Sequence, residues 1–520
     1  MDGFRKSIEK EFTSIYVFNL RGNQRTSGEL SRREGGKIFG SGSRTPIAIT
    51  LLVKNPDVKT QKATIHYHDI GDYLSREEKL KIVNNFKSFG SDKMPLKIIH
   101  PNEQGDWVSQ RNDSFSDFIS LAPEKKFDTK SQTFFVLNSL GINTNRDSWV
   151  YNSNIKNLKS NAERMISFYN KQVEEFRKEK SKGAEVNVLN FIEDDPKLIS
   201  WSSSLIPQLE KCNEAIYEDE KTAIALYRPF FKQYLYYGEK LIHRRGQFVD
   251  FFPNLGVKNL VISMTGIGSS KEYSCLISDT MPDLQVQMNN QCFPLYYYEE
   301  RQKHSPSLFD KEGESEFIRR DGVSDFILNR CQQQYGKNVS KEDIFYYVYG
   351  FLNSPDYRQT FASDLKKMLP RLPLVEDVRD FWAFSKAGRK LAELHINYET
   401  VPPFEGCTVT GAESGFFTVE KMRFPKKDQK DTIHYNSRIT ITSIPAKAYE
   451  YVVNGKSAIE WVMERYAVTT HKESGIKNDP NDWANEVGNP RYILDLLLSV
   501  INVSVQTVDI IQSLPKLNFD

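Results

Sequence analysis

The sequence predicts an α/β chain of the α+β kind: a partial sheet with a covering helix, followed by a longer region in which helices and short strands succeed one another. Three observations carry this. Ile15-Tyr16-Val17-Phe18-Asn19-Leu20, Ile47 to Val53 and Thr64-Ile65-His66-Tyr67-His68 are β-branched and aromatic runs divided by polar turns, the signature of strands. Leu158, Met165, Ile166, Tyr169, Val173 and Phe176 recur at three- and four-residue spacing among charges, which is one stripe of a long helix. A chain of 520 residues also exceeds what one hydrophobic core holds, so roughly two to four domains are expected.

The elements follow in order. After the first two strands, Lys54-Asn55-Pro56-Asp57 makes the turn, and Ser75-Arg76-Glu77-Glu78 has the capping-box order that opens a helix carrying Leu80, Ile82 and Val83. Three strands and one helix leave apolar faces uncovered, so this first sheet begins in mid-domain. The long helix ends at Lys178-Glu179-Lys180-Ser181-Lys182-Gly183, where glycine suits the C-cap. A further helix is expected from Ile206 to Tyr217, strands from Ala223 to Tyr298, helices from about 324 to 394, a β-rich module from about 406 to 445, and helices again from Ile459 to Tyr466 and from Pro490 onward. No internal repeat or low-complexity segment interrupts this order.

Composition narrows the class. Hydrophobic residues at 39% and charged residues at 27% are ordinary globular usage. The longest apolar runs fall short of the roughly 18 residues that span a bilayer, and Met1-Asp2-Gly3-Phe4-Arg5-Lys6 lacks the apolar core of a signal peptide, so a cytoplasmic protein without a membrane partner is expected. Cys212, Cys275, Cys292, Cys331 and Cys407 are far apart and odd in number, never at zinc spacing. His66 and His68 share a strand face without a third ligand, so no metal is expected. Net charge is only +2 from 70 basic and 68 acidic residues, which leaves nucleic-acid binding open, because a basic face can hide in a balanced total. The 25 Tyr and 33 Phe serve first as core.

The segment from Asn19 to Arg44 holds six glycines and five arginines between strands. Glycine lets a backbone approach a ligand and arginine attracts phosphate, so a DNA-facing loop and a mobile surface loop are both open readings. Other apparent motifs are decoys. Leu260-Val261-Ile262-Ser263-Met264-Thr265-Gly266-Ile267-Gly268 resembles a strand feeding a cofactor loop, but no acidic strand end follows at the proper distance, and a turn is the simpler reading. Glu193-Asp194-Asp195-Pro196-Lys197 reads as a solvated turn, and no phosphate-binding loop of the nucleotide-hydrolase kind occurs.

Asn19-Leu20-Arg21-Gly22-Asn23, then Gly35-Gly36-Lys37-Ile38-Phe39-Gly40-Ser41-Gly42-Ser43-Arg44 running into Pro46 to Val53, resembles the late strands of adenine-specific DNA methyltransferases. Tyr227-Arg228-Pro229-Phe230, Arg244-Arg245-Gly246-Gln247, Gln291 to Tyr296, Tyr346 to Arg358, Leu369-Pro370-Arg371-Leu372-Pro373 and Asn436-Ser437-Arg438-Ile439 extend the likeness over nearly the whole chain. Together they resemble the type ISP restriction-modification family, single polypeptides that carry a nuclease, a motor, an adenine methyltransferase and a target-recognition domain. The resemblance implies a partial Rossmann-like methyltransferase sheet and connector over residues 1–155 and a mixed α+β target-recognition domain over 156–520.

Members of that class hold the exocyclic amine of a flipped adenine with an Asn-Pro-Pro-aromatic tetrapeptide. None occurs here; Val401-Pro402-Pro403-Phe404 offers no amide, and Asn489-Pro490-Arg491-Tyr492 lacks the second proline. The expectation is therefore recognition of double-stranded DNA without a catalytic residue, and with no cofactor in this chain, S-adenosylmethionine belonging to the complete enzyme. The resemblance places Phe39 where a ring stacks on the flipped base, the alternative being a core Phe that closes the sheet. Arg21, Arg25, Arg44, Arg228, Arg244, Arg245, Arg358, Arg371 and Arg438 are the candidate DNA contacts; for the six from Arg228 onward the alternative is a structural ion pair, and it is the set rather than any single residue that carries the expectation. The competing expectation is a working adenine methyltransferase completed by an upstream polypeptide pairing with the sheet edge near residues 15 to 53. A nonfunctional remnant is a third.

Overall fold

A computed structural model describes residues 2–26, 28–40, 42–58, 62–183, 186–301 and 316–519. Two compact units divide the chain. The first comprises Met1–Phe118 with the short segments Gly268–Glu272 and Gln359–Met368, and the second the remainder. The expected boundary near residue 155 lies inside the second unit.

In the first unit, helix α1 (Asp2–Glu11) leads to strand β1 (Ser14–Arg21), helix α2 (Gly28–Glu34), strands β2 (Ile47–Val53) and β3 (Thr64–Asp69), helix α3 (Arg76–Phe86) and strand β4 (Lys97–Ile99). The sheet order is β2-β1-β3-β4, with β1 antiparallel to β2 and parallel to β3. Strand alternation sends Phe18 and Leu20 toward Ile82, Val83 and Phe86, and Ile15 with Ile65 toward Ile8 and Trp107, so each face has its own small core. The predicted capping box forms: Ser75 Oγ accepts from the Glu78 amide at 3.2 Å and Glu78 accepts from the Ser75 amide at 2.8 Å. Buried Asp106 fixes segment Gln359–Met368 to this unit by accepting from Lys367 at 2.6 Å and Arg111 at 2.9 Å.

The second unit holds two four-stranded sheets. One is Cys275–Ser278, Val261–Met264, Gln291–Pro294 and Ser139–Leu140, in that spatial order. The other is Met281–Pro282, Thr222–Arg228, Phe231–Tyr236 and Tyr151–Asn152. The hairpin of the second sheet turns on Pro229 and Phe230, with Phe230 at φ +58°. The long predicted helix spans Ile155–Ser181, capped by Asn154, and buries Leu158, Met165, Ile166, Tyr169, Val173 and Phe176. Further along, helices Lys341–Leu352 and Val378–Ile396 cross where Gly350 and Gly388 let two backbones meet. A Cβ on Gly388 would overlap the Tyr346 carbonyl oxygen, and one on Gly350 that of Phe384.

Two expectations change. The helix from Ile206 stops at Glu210, because Cys212 takes the left-handed conformation (φ +53°) and Asn213 closes the turn on Gln208. The C-terminal helix Tyr492–Gln512 is long and apolar enough to cross a membrane, contrary to the reading from apolar runs alone, and about two-thirds of its most apolar stretch is buried inside the second unit. There it packs on Ala458–Arg465 and Val378–Ile396, and a helix apolar on most sides belongs to a core. Among the described residues no cluster of three metal-ligating side chains occurs.

Candidate nucleic-acid interface

In the first unit, the Gly-Arg loop is built by a buried lysine. Lys79 is fully buried and donates to the carbonyl oxygens of Glu34 at 2.6 Å and Gly36 at 2.9 Å, and burial holds its pKa below the usual lysine range. The Gly36 amide donates to Leu74 at 2.8 Å. Side chains at Gly35 or Gly36 would collide with backbone at Leu74 or Arg76, so this glycine pair is dictated by packing against the start of α3. Phe39, three residues beyond Gly36, is 56% exposed, too open to be closing the sheet as core. Arg25 and Arg44 are exposed beside one another, the Gln24 amide donating to Arg44 at 3.0 Å. Arg21 differs: at φ +54° it turns its guanidinium onto Asp69 at 2.7 Å and onto Asp72, and lies inside the loop's support.

The second unit carries a cleft of about 800 Å³. Its walls are the run Ile142–Asn152 and the segment from Thr469 to Asn478, a hairpin whose strands Thr469–Thr470 and Lys477–Asn478 pair antiparallel. The lining is rich in amides and hydroxyls: Asn143, Asn145, Asn152, Gln233, Gln285, Asn478, Thr469 and Thr470. Gln233 ties the walls together, donating to Ser153 at 3.1 Å and to Asn478 at 2.8 Å.

Arg146 lines the cleft, and Arg228 lies against the lining residues Asp147, Tyr227 and Asp283. Arg146 is buried and donates only to neutral oxygens: Ser200 O at 3.1 Å, Lys240 O at 3.1 Å, Leu241 O at 2.9 Å and Ser202 Oγ at 2.6 Å. Burial lowers its pKa to about 10, so it stays a cation at neutral pH without a carboxylate beside it. Arg228 lies between two carboxylates, Asp283 at 2.7 Å and Asp147 at 3.2 Å, with its guanidinium 3.8 Å from the Tyr227 ring centroid. Burial, helped by the Asp147 charge and opposed by Arg228, pushes the Asp283 carboxyl up to about 7. Tyr227 OH donates to Asp147 at 3.0 Å and Thr144 holds the same carboxylate. Asp147 is the more open of the two acids, its side chain 36% exposed against 3% for Asp283.

The other predicted arginines divide by surroundings. Arg244 is exposed, and its backbone pairs with the cleft residue Asn143 in both directions, at 2.9 and 3.1 Å. Arg438 is exposed over Phe416, 5.0 Å from the ring centroid, in a turn held by Asn436. Arg245 is half-buried against Glu239 at 3.1 Å. Arg371 is half-buried in a short strand paired with Ile119–Ser120. Arg358 turns inward onto Leu352 O and Asn353 Oδ1, both at 2.7 Å, and onto Cys275. Sequence reasoning passed over Arg146, Asp147 and the hairpin near His471. The one available signal was the polar run Asn143-Thr144-Asn145-Arg146-Asp147 between apolar segments.

Residues 133–496, which contain the cleft, match the family model of the Type ISP C-terminal specificity domain. The chain belongs to this Type ISP family. Three solved structures resemble it. A nuclease-deletion mutant of the Type ISP restriction-modification enzyme LlaGI, in complex with a DNA substrate mimic, is 40% identical with a TM-score of 0.85, and the match covers 100% of this chain and 45% of that one. The ATP-dependent Type ISP enzyme LlaBIII bound to DNA is 36% identical with a TM-score of 0.85, covering 100% and 32%. A DrdV–DNA complex is 28% identical with a TM-score of 0.79, covering 99% and 49%. The chain thus spans between about a third and half the length of these relatives. Comparison with curated proteins finds no match.

Proposed function

We propose that this chain reads a DNA sequence for a Type ISP restriction-modification enzyme, serving adenine N6 methylation and restriction whose catalytic groups lie outside it. The observation that carries the reading is the amide-lined cleft inside the family's specificity region, with the cation Arg146 beneath it. Asn and Gln side chains suit base edges because they donate and accept together, whereas arginines suit phosphate and guanine. Exposure favours Arg25, Arg44, Arg244 and Arg438 as direct contacts and Phe39 as the ring that meets an extruded base. Arg21, Arg228 and Arg358 support the surfaces that present them. Residues 1–155 would serve the methyltransferase part and 156–520 the reading part. S-adenosylmethionine would be held by the complete enzyme, and a cytoplasmic location suits a partner that is double-stranded DNA. A salt titration tests the reading: affinity for duplex DNA should fall steeply with salt, and Arg244→Met or Arg438→Met should each lower the log–log slope by about 0.9. A slope near zero in the unaltered chain would refute it.

A further inference from the structure

We infer, resting on the proposed reading of DNA by this cleft, that Asp147 is a specificity-determining residue which accepts a hydrogen bond from the 4-amino group of a cytosine in the recognised duplex. Asp147 lines the cleft beside Asn143 and Asn145. Both oxygens of its carboxylate are held from within the fold. Oδ2 accepts from Tyr227 OH at 3.0 Å and from the Arg228 guanidinium at 3.2 Å, and Oδ1 accepts from the hydroxyl of buried Thr144. An ionised carboxylate has about four acceptor positions. Those three donors fix its orientation and leave one position open, on Oδ1.

Pairing with Arg228 does not by itself account for this carboxylate. Asp283 already meets that guanidinium at 2.7 Å with only 3% of its side chain exposed, whereas Asp147 is 36% exposed, so solvent and ligand reach it from the cleft. A carboxylate repels phosphate, and in a cleft that takes a polyanion it is favourable only against a donor on a base edge. In the major groove those donors are cytosine N4 and adenine N6. Adenine sets the acceptor N7 beside its amine, a pair that suits Asn or Gln; a carboxylate only accepts, and would bring a lone pair against N7. Cytosine presents its amine with no acceptor beside it on the same base, and it is the base that fits.

The test selects from random duplex DNA with the full chain and with Asp147→Asn. In the variant the amide oxygen can keep Tyr227 and Arg228 as donors while the amide nitrogen replaces Oδ1, so the open acceptor becomes a donor. Cytosine N4 and thymine O4 hold the same place on the two pyrimidines with opposite hydrogen-bonding character. We expect the unaltered chain to select a site containing a C·G pair that Asp147→Asn changes to T·A, with the other positions unchanged. Replacing that cytosine by 2-pyrimidinone, which lacks the amino group, should weaken binding by the unaltered chain at least about tenfold, the worth of one hydrogen bond to a charged group, and binding by Asp147→Asn by no more than about twofold. A selected site free of C·G pairs, the same site selected by both chains, a uniform gain in affinity for all duplexes when the charge is removed, or indifference of the unaltered chain to 2-pyrimidinone at every cytosine would overturn the assignment. Absence of any enrichment by the unaltered chain is a different result, which overturns the reading of DNA and the assignment with it.

Discussion

Replacing Arg228 by methionine separates a support role from a DNA contact. The guanidinium joins Asp283 at 2.7 Å and Asp147 at 3.2 Å, and only 13% of its side chain is exposed. Methionine keeps most of the volume and leaves two facing carboxylates, one of them buried. Removing one partner of a buried pair costs about 3–5 kcal/mol, which is the loss expected for unfolding of the second unit at pH 8. The Asp283 carboxyl sits at about 7, above its unfolded value of 3.8. The folded state therefore holds its proton more tightly, and this group's contribution to stability is fully present below the unfolded value and declines as pH rises through about 7. Without Arg228 the carboxyl moves higher still, so the deficit should shrink to about 1–2 kcal/mol at pH 5.5, where a protonated acid leaves only lost hydrogen bonds. Urea unfolding at both pH values measures this, and Asp283→Asn in the same chain should restore much of the pH 8 loss. A deficit below about 1 kcal/mol, together with a reduced salt slope for DNA, would refute the support role and make Arg228 a phosphate contact.

Three further outcomes follow from particular contacts. His395 is buried between Tyr349 at 2.5 Å and Thr507 at 2.9 Å, and burial lowers its pKa from 6.5 to about 3. The ring is neutral when folded, so its contribution is intact above 6.5 and falls by up to about 1.4 kcal/mol per pH unit below that; His395→Gln should flatten the acid limb of stability against pH. Gly388→Ala should destabilise the second unit by about 1–3 kcal/mol in thermal unfolding, because the added methyl meets the Tyr346 carbonyl oxygen across two helices. Phe39→Ala should leave stability within about 0.5 kcal/mol, yet weaken binding to duplexes with an unpaired adenine by about 1–3 kcal/mol in competition assays.

Elements that bury a regular stripe were readable in the sequence. The strands at 14–21, 47–53 and 64–69 and the helix at 155–181 lie within a residue or two of expectation in their β-strand or helical cores, because alternation and three-to-four spacing are set locally. The capping box at Ser75 was equally local. The cleft was not readable, since it joins residues far apart in the chain; Gln233 meets Asn478 across 245 positions. The same distance hid the surroundings of Arg228, whose acid partners lie 55 and 81 residues away. Composition marks an arginine but does not say whether a carboxylate will fold against it. Phe39 shows the converse: for an aromatic beside a strand both core and contact were open readings, and only the folded surroundings show that the ring is exposed.

The most direct test of the central claim is selection from random duplex DNA by the purified chain at near-physiological salt, followed by sequencing of what is retained. Enrichment of one short asymmetric sequence is expected, weakened or altered when Asn143, Asn145 or Gln285 is replaced by alanine. Retention without enrichment, or no salt-sensitive retention at all, would contradict a chain that reads sequence by itself.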